Sequence, residues 1–233
     1  MLTLNEQDLH IWIASLNISP LEEQKYCTLL CSLEMQRANR FHLIKHKTRF
    51  IAAHGILRTI LSLYCNIDAK ELVFTESEYG KPCFSFPNKT ELQFNMSHSG
   101  VMSVYIITKT KLVGIDIEEI KNNKNYIDIA HRFFSQEEYE KIISLPQQEQ
   151  CHAFYQIWSR KEALLKAIGQ GFSHPLSTFT VSFHKKELVV LDNKEWMVEN
   201  FSAHAGYSAA YAVEKNDAQI TFFPFTPNVK RIY

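Results

Sequence analysis

Apolar positions recur along this chain with two periods, and the switches between them divide it into helices and strands. From Arg49 to Tyr64 apolar residues fall three and four apart, which predicts a helix. A longer run of the same period spans residues 151–168 and is stopped by Gly169 and Gly171. In it Phe154, Ile157, Trp158, Leu164, Leu165 and Ile168 make one stripe. Lys161 falls inside that stripe, so it must either snorkel outward or be held there. Glu162 and Lys166 sit one turn apart on its flank, the spacing of a surface ion pair. Residues 21–40 read as helical, and residues 126–145 as one or two helices, with Ser135 and Glu138 placed as a capping box. Strands are expected at residues 9–14, twice within residues 92–108 around a turn at Ser97–Gly100, at residues 113–120, and repeatedly from Leu176 onward. Gly80 and Pro82 punctuate a turn that displays Lys81.

The strand VGIDIEEI, residues 113–120, carries the most chemistry. Its alternation points Val113, Ile115 and Ile117 to one face and Gly114, Asp116 and Glu118 to the other, on what reads as a half-buried surface. Two carboxylates roughly 7 Å apart, at about 3.3 Å of rise per residue, repel unless a positive charge lies between them. A hard divalent cation held by oxygens answers that need. Acidic positions on a solvated strand face are common, so the pair alone is a weak signal.

An internal echo runs through the same pattern. FNMSHSGVMSVYIITK at residues 94–109 and NFSAHAGYSAAYAVEK at residues 200–215 align without a gap, pairing His98 with His204 and Tyr105 with Tyr211. Each copy follows one of the two long helices, which predicts two related α+β halves joined near residues 110–125.

Composition adds limits. The 233 residues, 45% hydrophobic and 21% charged with a formal net charge of +0, describe a globular chain with no bulk field for nucleic acid or anionic membrane. No apolar run is long enough to span a bilayer, and the first residues lack the pattern of a secretory signal, so a cytoplasmic protein is expected. The five cysteines are scattered and read as reduced thiols, with Cys27 and Cys31 on one helix face. Arg37, Arg40 and Arg49 crowd toward the start of the helix predicted from Arg49, where unpaired N–H groups also favour an anion. Ser97 and His98 could offer donors to a phosphate, although they do not form a nucleophile elbow.

Taken in order, FNMSHSG at 94–100, GIDIEEI at 114–120 and FSQEEY followed by WSRKEALLKAIGQG at 158–171 resemble the 4′-phosphopantetheinyl transferases, in the larger class typified by the surfactin-synthetase activator. YGKPCF and the spacing of Arg40 and Arg49 support the resemblance, which runs over most of the chain. It implies an α+β fold of two similar α/β half-domains related by a pseudo-twofold, residues 1–112 and 113–233, with the active site in the cleft between them. It also implies a reaction: phosphopantetheine passes from coenzyme A to a serine of an acyl or peptidyl carrier protein, and 3′,5′-ADP leaves. By resemblance Asp116, Glu118 and Glu162 hold magnesium, Glu162 doubles as general base, and Lys166 contacts the pyrophosphate. Lys81, Ser97 and His98 are similar to phosphate and adenosine contacts, and Arg49 with Arg37 or Arg40 takes the 3′-phosphate. The resemblance further implies a monomer that docks its carrier transiently, with residues 126–134 as a candidate surface. Two other readings of the same residues are a magnesium-dependent phosphodiesterase or nucleotidyl transferase, and a non-catalytic carrier-binding relative.

Overall fold

The structure is a computed structural model that describes residues 2–76, 82–85, 90–122, 125–169, 174–183, 186–215 and 218–227. Strand β1 (Asp8–Ser15) leads to two short helices, α1 (Pro20–Cys27) and α2 (Ser32–Asn39), and then to the long α3 (Ile44–Cys65). A small hairpin, β2 (Phe74–Glu76) and β3 (Pro82–Phe84), precedes the larger hairpin β4 (Gln93–Ser99) and β5 (Met102–Thr108). Beyond it come β6 (Val113–Glu119), α4 (Tyr126–Phe133), α5 (Gln136–Ser144) and the long α6 (Gln147–Ile168). The chain ends in β7 (Lys186–Leu191), β8 (Lys194–Phe201), β9 (Tyr207–Glu214) and β10 (Gln219–Pro224).

Two four-stranded sheets result, ordered β10-β1-β5-β4 and β6-β9-β8-β7. The expected duplication is visible in their topology, but the gapless pairing of the two segments does not hold, because Tyr105 enters the core under α3 while Tyr211 enters the core between the sheets. In one half β5 runs antiparallel to both β1 and β4, and in the other β9 runs antiparallel to both β6 and β8. Helix α3 covers the first sheet through a core that includes Trp12, Ile56, Tyr105 and Ile107. Helix α6 covers the second through Ile157, Leu164, Val198 and Ala210. A third core, with Leu9, Ile11, Val104 and Ile106 meeting Val113, Ile115 and Ile117, lies between the sheets. The order is therefore helix, sheet, sheet, helix. Strand β10 pairs in parallel with β1, so residues 219–224 belong to the first sheet and the first half is not a single run of chain.

Several boundaries differ from the sequence reading, each for a local reason. Residues 21–40 form two helices, because residues 28–31 turn and α2 starts afresh with Cys31 at its N-cap and Glu34 accepting from the Cys31 N–H. Cys27 ends α1, so the two thiols do not share a helix face. Helix α3 begins at Ile44, with exposed Lys45 and His46 in its first turn. Arg49 thus lies past the first turn and not at the helix N-terminus, which removes the N-terminal anion argument made for the arginines. Ser97 and His98 lie within β4, and the turn follows them, with Gly100 at φ +55°. The segment 176–183 holds a single 3₁₀ turn, Leu176–Thr178, in place of a strand. The capping box of Ser135 and Glu138 is present as expected.

Candidate active site

Strand β6 expects one dry and one wet face, yets both are covered. Val113, Ile115 and Ile117 enter the core between the sheets, while α6 packs against the opposite face. Gly114 makes that approach possible. A Cβ there would overlap the Ala163 carbonyl oxygen and the Ala167 nitrogen, so the backbone of α6 rests directly on the strand. The close contact sets Glu162 and Lys166, one turn apart on α6, over Asp116 and Glu118 of β6.

Strand β4 closes the other side. Its residues Asn95, Ser97 and Ser99 alternate onto one face and bind β6 through side chains. Asn95 Oδ1 accepts from the Ile115 N–H at 3.0 Å, and Ser97 Oγ donates to Asp116 Oδ1 at 2.9 Å. Ser99 Oγ donates to Glu118 Oε2 at 2.9 Å while accepting from the Glu119 N–H at 3.1 Å. Lys166 Nζ donates to Asp116 Oδ1 at 2.6 Å and to Ser97 Oγ at 2.8 Å. One serine, one lysine and one carboxylate oxygen therefore form a closed triangle across the three elements.

The electrostatics follow from crowding three carboxylates in a poorly solvated place. Burial, then repulsion by Asp116, pushes both Glu118 and Glu162 up to about 7. Asp116 is 2% exposed. Its Oδ2 and the Oε1 of Glu162 are buried without a hydrogen-bond partner. Among the described residues no three His, Cys, Asp or Glu side chains stand ready to hold a metal ion. The Lys166 ammonium occupies the other oxygen of Asp116.

Beside this cluster a cavity of about 670 Å³ opens between α2, α3 and β4, within the size range of small-ligand sites. Arg37, Ser97, His98 and Lys166 all line it. Between the two arginines left open upstream, Arg37 is the one on the wall, while Arg40 is the exposed C-cap of α2. Arg49 does not line the cavity but is near enough for its charge to act on His98. His98 is open to solvent, yet the cavity wall, followed by His54, Lys166 and Arg49, holds it down to about 4. Lys81 lies outside the described residues.

The sequence reading missed Glu34, His54, Arg58, Phe74 and Met96, which also line the cavity. His54 and Arg58 carry the one available signal, a one-turn spacing along α3 that puts both on the face toward α2. Lys161 proves to be held and not to snorkel. It is 0% exposed, bonds Glu138 at 2.8 Å and donates to the carbonyls of Leu176 and Phe179. Arg160, given no role from sequence, is also buried and anchors α6 to Glu187 and Asn200.

Comparison with known proteins shows the family. Residues 112–222 match the 4'-phosphopantetheinyl transferase superfamily, and residues 19–110 match 4'-phosphopantetheinyl transferase, N-terminal. The chain is 35% identical to 4'-phosphopantetheinyl transferase HetI of Nostoc sp., over 74% of this chain and 73% of that protein. It is 29% identical to 4'-phosphopantetheinyl transferase Sfp of Bacillus subtilis, over 86% and 89% of the two chains. With 4'-phosphopantetheinyl transferase gsp of Aneurinibacillus migulanus it shares 31% identity, over 80% and 71%. A chain with two α/β halves and an acidic cleft between them thus belongs to the 4'-phosphopantetheinyl transferases, in their larger, Sfp-like class. Its activity is the transfer of phosphopantetheine to carrier proteins, with coenzyme A as the substrate.

Proposed function

We propose that Glu162, Lys166, Asp116 and Glu118 carry out this transfer, with the nucleotide of coenzyme A in the adjoining cavity. The observation that supports the assignment is the seating of α6 on Gly114, which aims a carboxylate and an ammonium at two further carboxylates beside a ligand-sized cavity. In phosphoryl transfer the protein chiefly positions the groups and neutralises charge. Lys166, at the edge shared by the cavity and the acidic cluster, would bind the pyrophosphate. The carrier's serine oxygen attacks the β-phosphate, and the bond to the oxygen bridging the two phosphates breaks. Glu162 accepts the serine proton, and 3′,5′-ADP departs. A cation bound beside it would keep Glu162 ionised, so its capacity to take the proton would come from its position over the cluster.

Magnesium fits the acidic cluster. The buried, unpartnered Asp116 Oδ2 and Glu162 Oε1 are oxygens of the kind a hard cation satisfies, and Glu118 adds a third carboxylate. Bound there with the substrate, the ion would offset the charge that builds on the phosphate oxygens. On the cavity side Arg37, Arg49, Ser97 and His98 would take the nucleotide phosphates. Both walls come from one chain, so the enzyme acts as a monomer, and residues 126–134 are the proposed carrier surface. We place it in the cytoplasm; among the described residues no helix is long and apolar enough to cross a membrane.

The test is mass spectrometry of apo carrier proteins from fatty acid, polyketide and nonribosomal peptide systems, each incubated with the protein, coenzyme A and magnesium. A phosphopantetheine adduct on at least one is expected. A panel left wholly unmodified would refute the reading.

A further inference from the structure

His54 has no part in the reaction as assigned above, yet its setting is that of a ligand contact. It lines the cavity from α3, together with Arg37 from α2 and His98 from β4. Its ring lies on Phe50 with centroids 4.1 Å apart and planes at 28°, which fixes the imidazole plane. Nδ1 meets Glu34 Oε1 at 3.3 Å. Glu34 is itself immobilised, because Arg58 holds its Oε2 through Nε at 2.9 Å and Nη2 at 2.7 Å. Arg58 is in turn 1% exposed and donates to the carbonyls of Ala69 and Leu72. A buried ion pair thus braces one nitrogen of His54, and the opposite nitrogen, Nε2, is left for the cavity. A ring clamped by a carboxylate and a stacked phenyl is pre-organised, so little entropy is lost when it binds.

The charge around it narrows the ligand. Coenzyme A carries two separated anions, the pyrophosphate and the ribose 3′-phosphate. Under the proposed function the pyrophosphate goes to Lys166, so the second anion needs another cationic locus in the same cavity. Arg37 lines the cavity, and the charges of His54 and Arg49 both act on His98. Arg37, His54 and His98 thus gather basic groups on the cavity wall, with Arg49 close behind.

We infer that His54, braced by Glu34 and Phe50, binds the 3′-phosphate of coenzyme A through Nε2 and so selects coenzyme A over dephospho-coenzyme A. As an imidazolium it has two N–H donors, one for Glu34 and one for the phosphate. The inference rests on the transferase reading.

Calorimetric titration of coenzyme A and dephospho-coenzyme A tests it, with wild type, His54→Phe and His54→Asn. Phenylalanine keeps the ring and its stacking but loses both nitrogens, and asparagine keeps a polar group of smaller reach. For each variant, loss of about 10-fold in coenzyme A affinity is expected, the lower end for a hydrogen bond to a charged group. Dephospho-coenzyme A should bind each variant within about 2-fold of wild type, on the same reasoning that it lacks the bonded group. Equal weakening of both ligands, or no weakening of either, overturns the role of His54. Failure of wild type to bind coenzyme A at all would instead sink the transferase reading, so the two failures are separable.

Discussion

Lys166→Met should make the protein bind magnesium or manganese more tightly when coenzyme A is absent. In the structure Lys166 Nζ sits 2.6 Å from Asp116 Oδ1, and the aspartate is 3% exposed on its side chain against 29% for the lysine. A cation can use both oxygens of Asp116 only after that ammonium moves. A hydrogen bond to a charged partner contributes roughly 1.5–3 kcal/mol, which corresponds to about 10- to 100-fold in the affinity of a competing ion. In wild type the pyrophosphate of coenzyme A would draw the lysine away, so metal and substrate should bind cooperatively.

Thermal melting reads this without any catalytic step. Stabilisation by a ligand follows RT ln(1 + [L]/Kd), so metal at one-tenth of its wild-type Kd adds less than about 0.1 kcal/mol. The same concentration is equal to Kd after a 10-fold gain and ten times Kd after a 100-fold gain, adding about 0.4–1.4 kcal/mol. For a chain of 233 residues that is a rise of roughly 1–5 °C. The metal-free variant should melt below wild type, since Asp116 is left buried beside two other carboxylates. If metal raises the melting temperature of Lys166→Met no more than that of wild type, the lysine is not competing for the site and the reasoning fails.

Three further outcomes follow. Glu162→Gln should cut carrier modification by about 10²-fold or more without lowering the melting temperature, because the amide is free of the repulsion from Asp116; a rate near wild type in the adduct assay would remove Glu162 as base. Gly114→Ala should lose about 3 kcal/mol in urea unfolding, the upper range for overpacking, because the added methyl meets backbone atoms of α6 that cannot rotate aside; an unchanged urea midpoint would contradict the close approach of helix and strand. Glu34 should shape acid stability: burial opposes its charge, but bonds from His54, Arg58 and the Cys31 N–H outweigh that and lower it from 4.5 to about 2. Its contribution is therefore complete above about 4.5 and is lost as pH falls toward about 2. Stability measured between those values should fall less steeply in Glu34→Gln than in wild type, and identical slopes would show that Glu34 is not the group responsible.

The parts of the site legible from sequence were those written in short-range periodicity. Alternation placed Asp116 and Glu118 on one face of β6, helical spacing set Glu162 and Lys166 together, and the repeated segment announced two related halves. What was not legible depends on partners distant in the chain. Lys161 is explained by Glu138 and by two carbonyls past the end of α6, none of which its own stripe reveals. Strand β10 is defined by parallel pairing with β1 at the other end of the chain. The start of α3 was read late because Ile44 is 81% exposed and polar neighbours surround it, so its first turn carries no apolar period. His54 looked like one more residue of a helix until Glu34, from a helix not resolved as separate in the sequence, supplied its brace.

The duplication also explains why one half holds the acidic cluster and the other does not. Strands β1 and β6 both put alternate apolar residues into the core between the sheets and turn their remaining residues toward a long helix. In β1 those helix-facing positions hold His10 and Trp12, and both bond to the hydroxyl of Tyr64 from α3. Such a surface is dry and aromatic, and β1 is enclosed on both edges by β10 and β5. Strand β6 is bonded in its sheet to β9 alone, and its other edge faces the side chains of Asn95, Ser97 and Ser99. Those donors and the acceptor Asn95 replace a backbone ladder with groups that can solvate carboxylates, which a neighbouring strand's backbone could not do for Asp116 and Glu118 together. Addition of β10 therefore closes the position in the first half that the second half leaves to chemistry. A carboxylate placed at Trp12 would meet the aromatic wall of Tyr64 and Phe223, whereas at Asp116 it meets a serine and a lysine. The asymmetry of the two edges, more than any difference between the helices, puts the acidic cluster on β6.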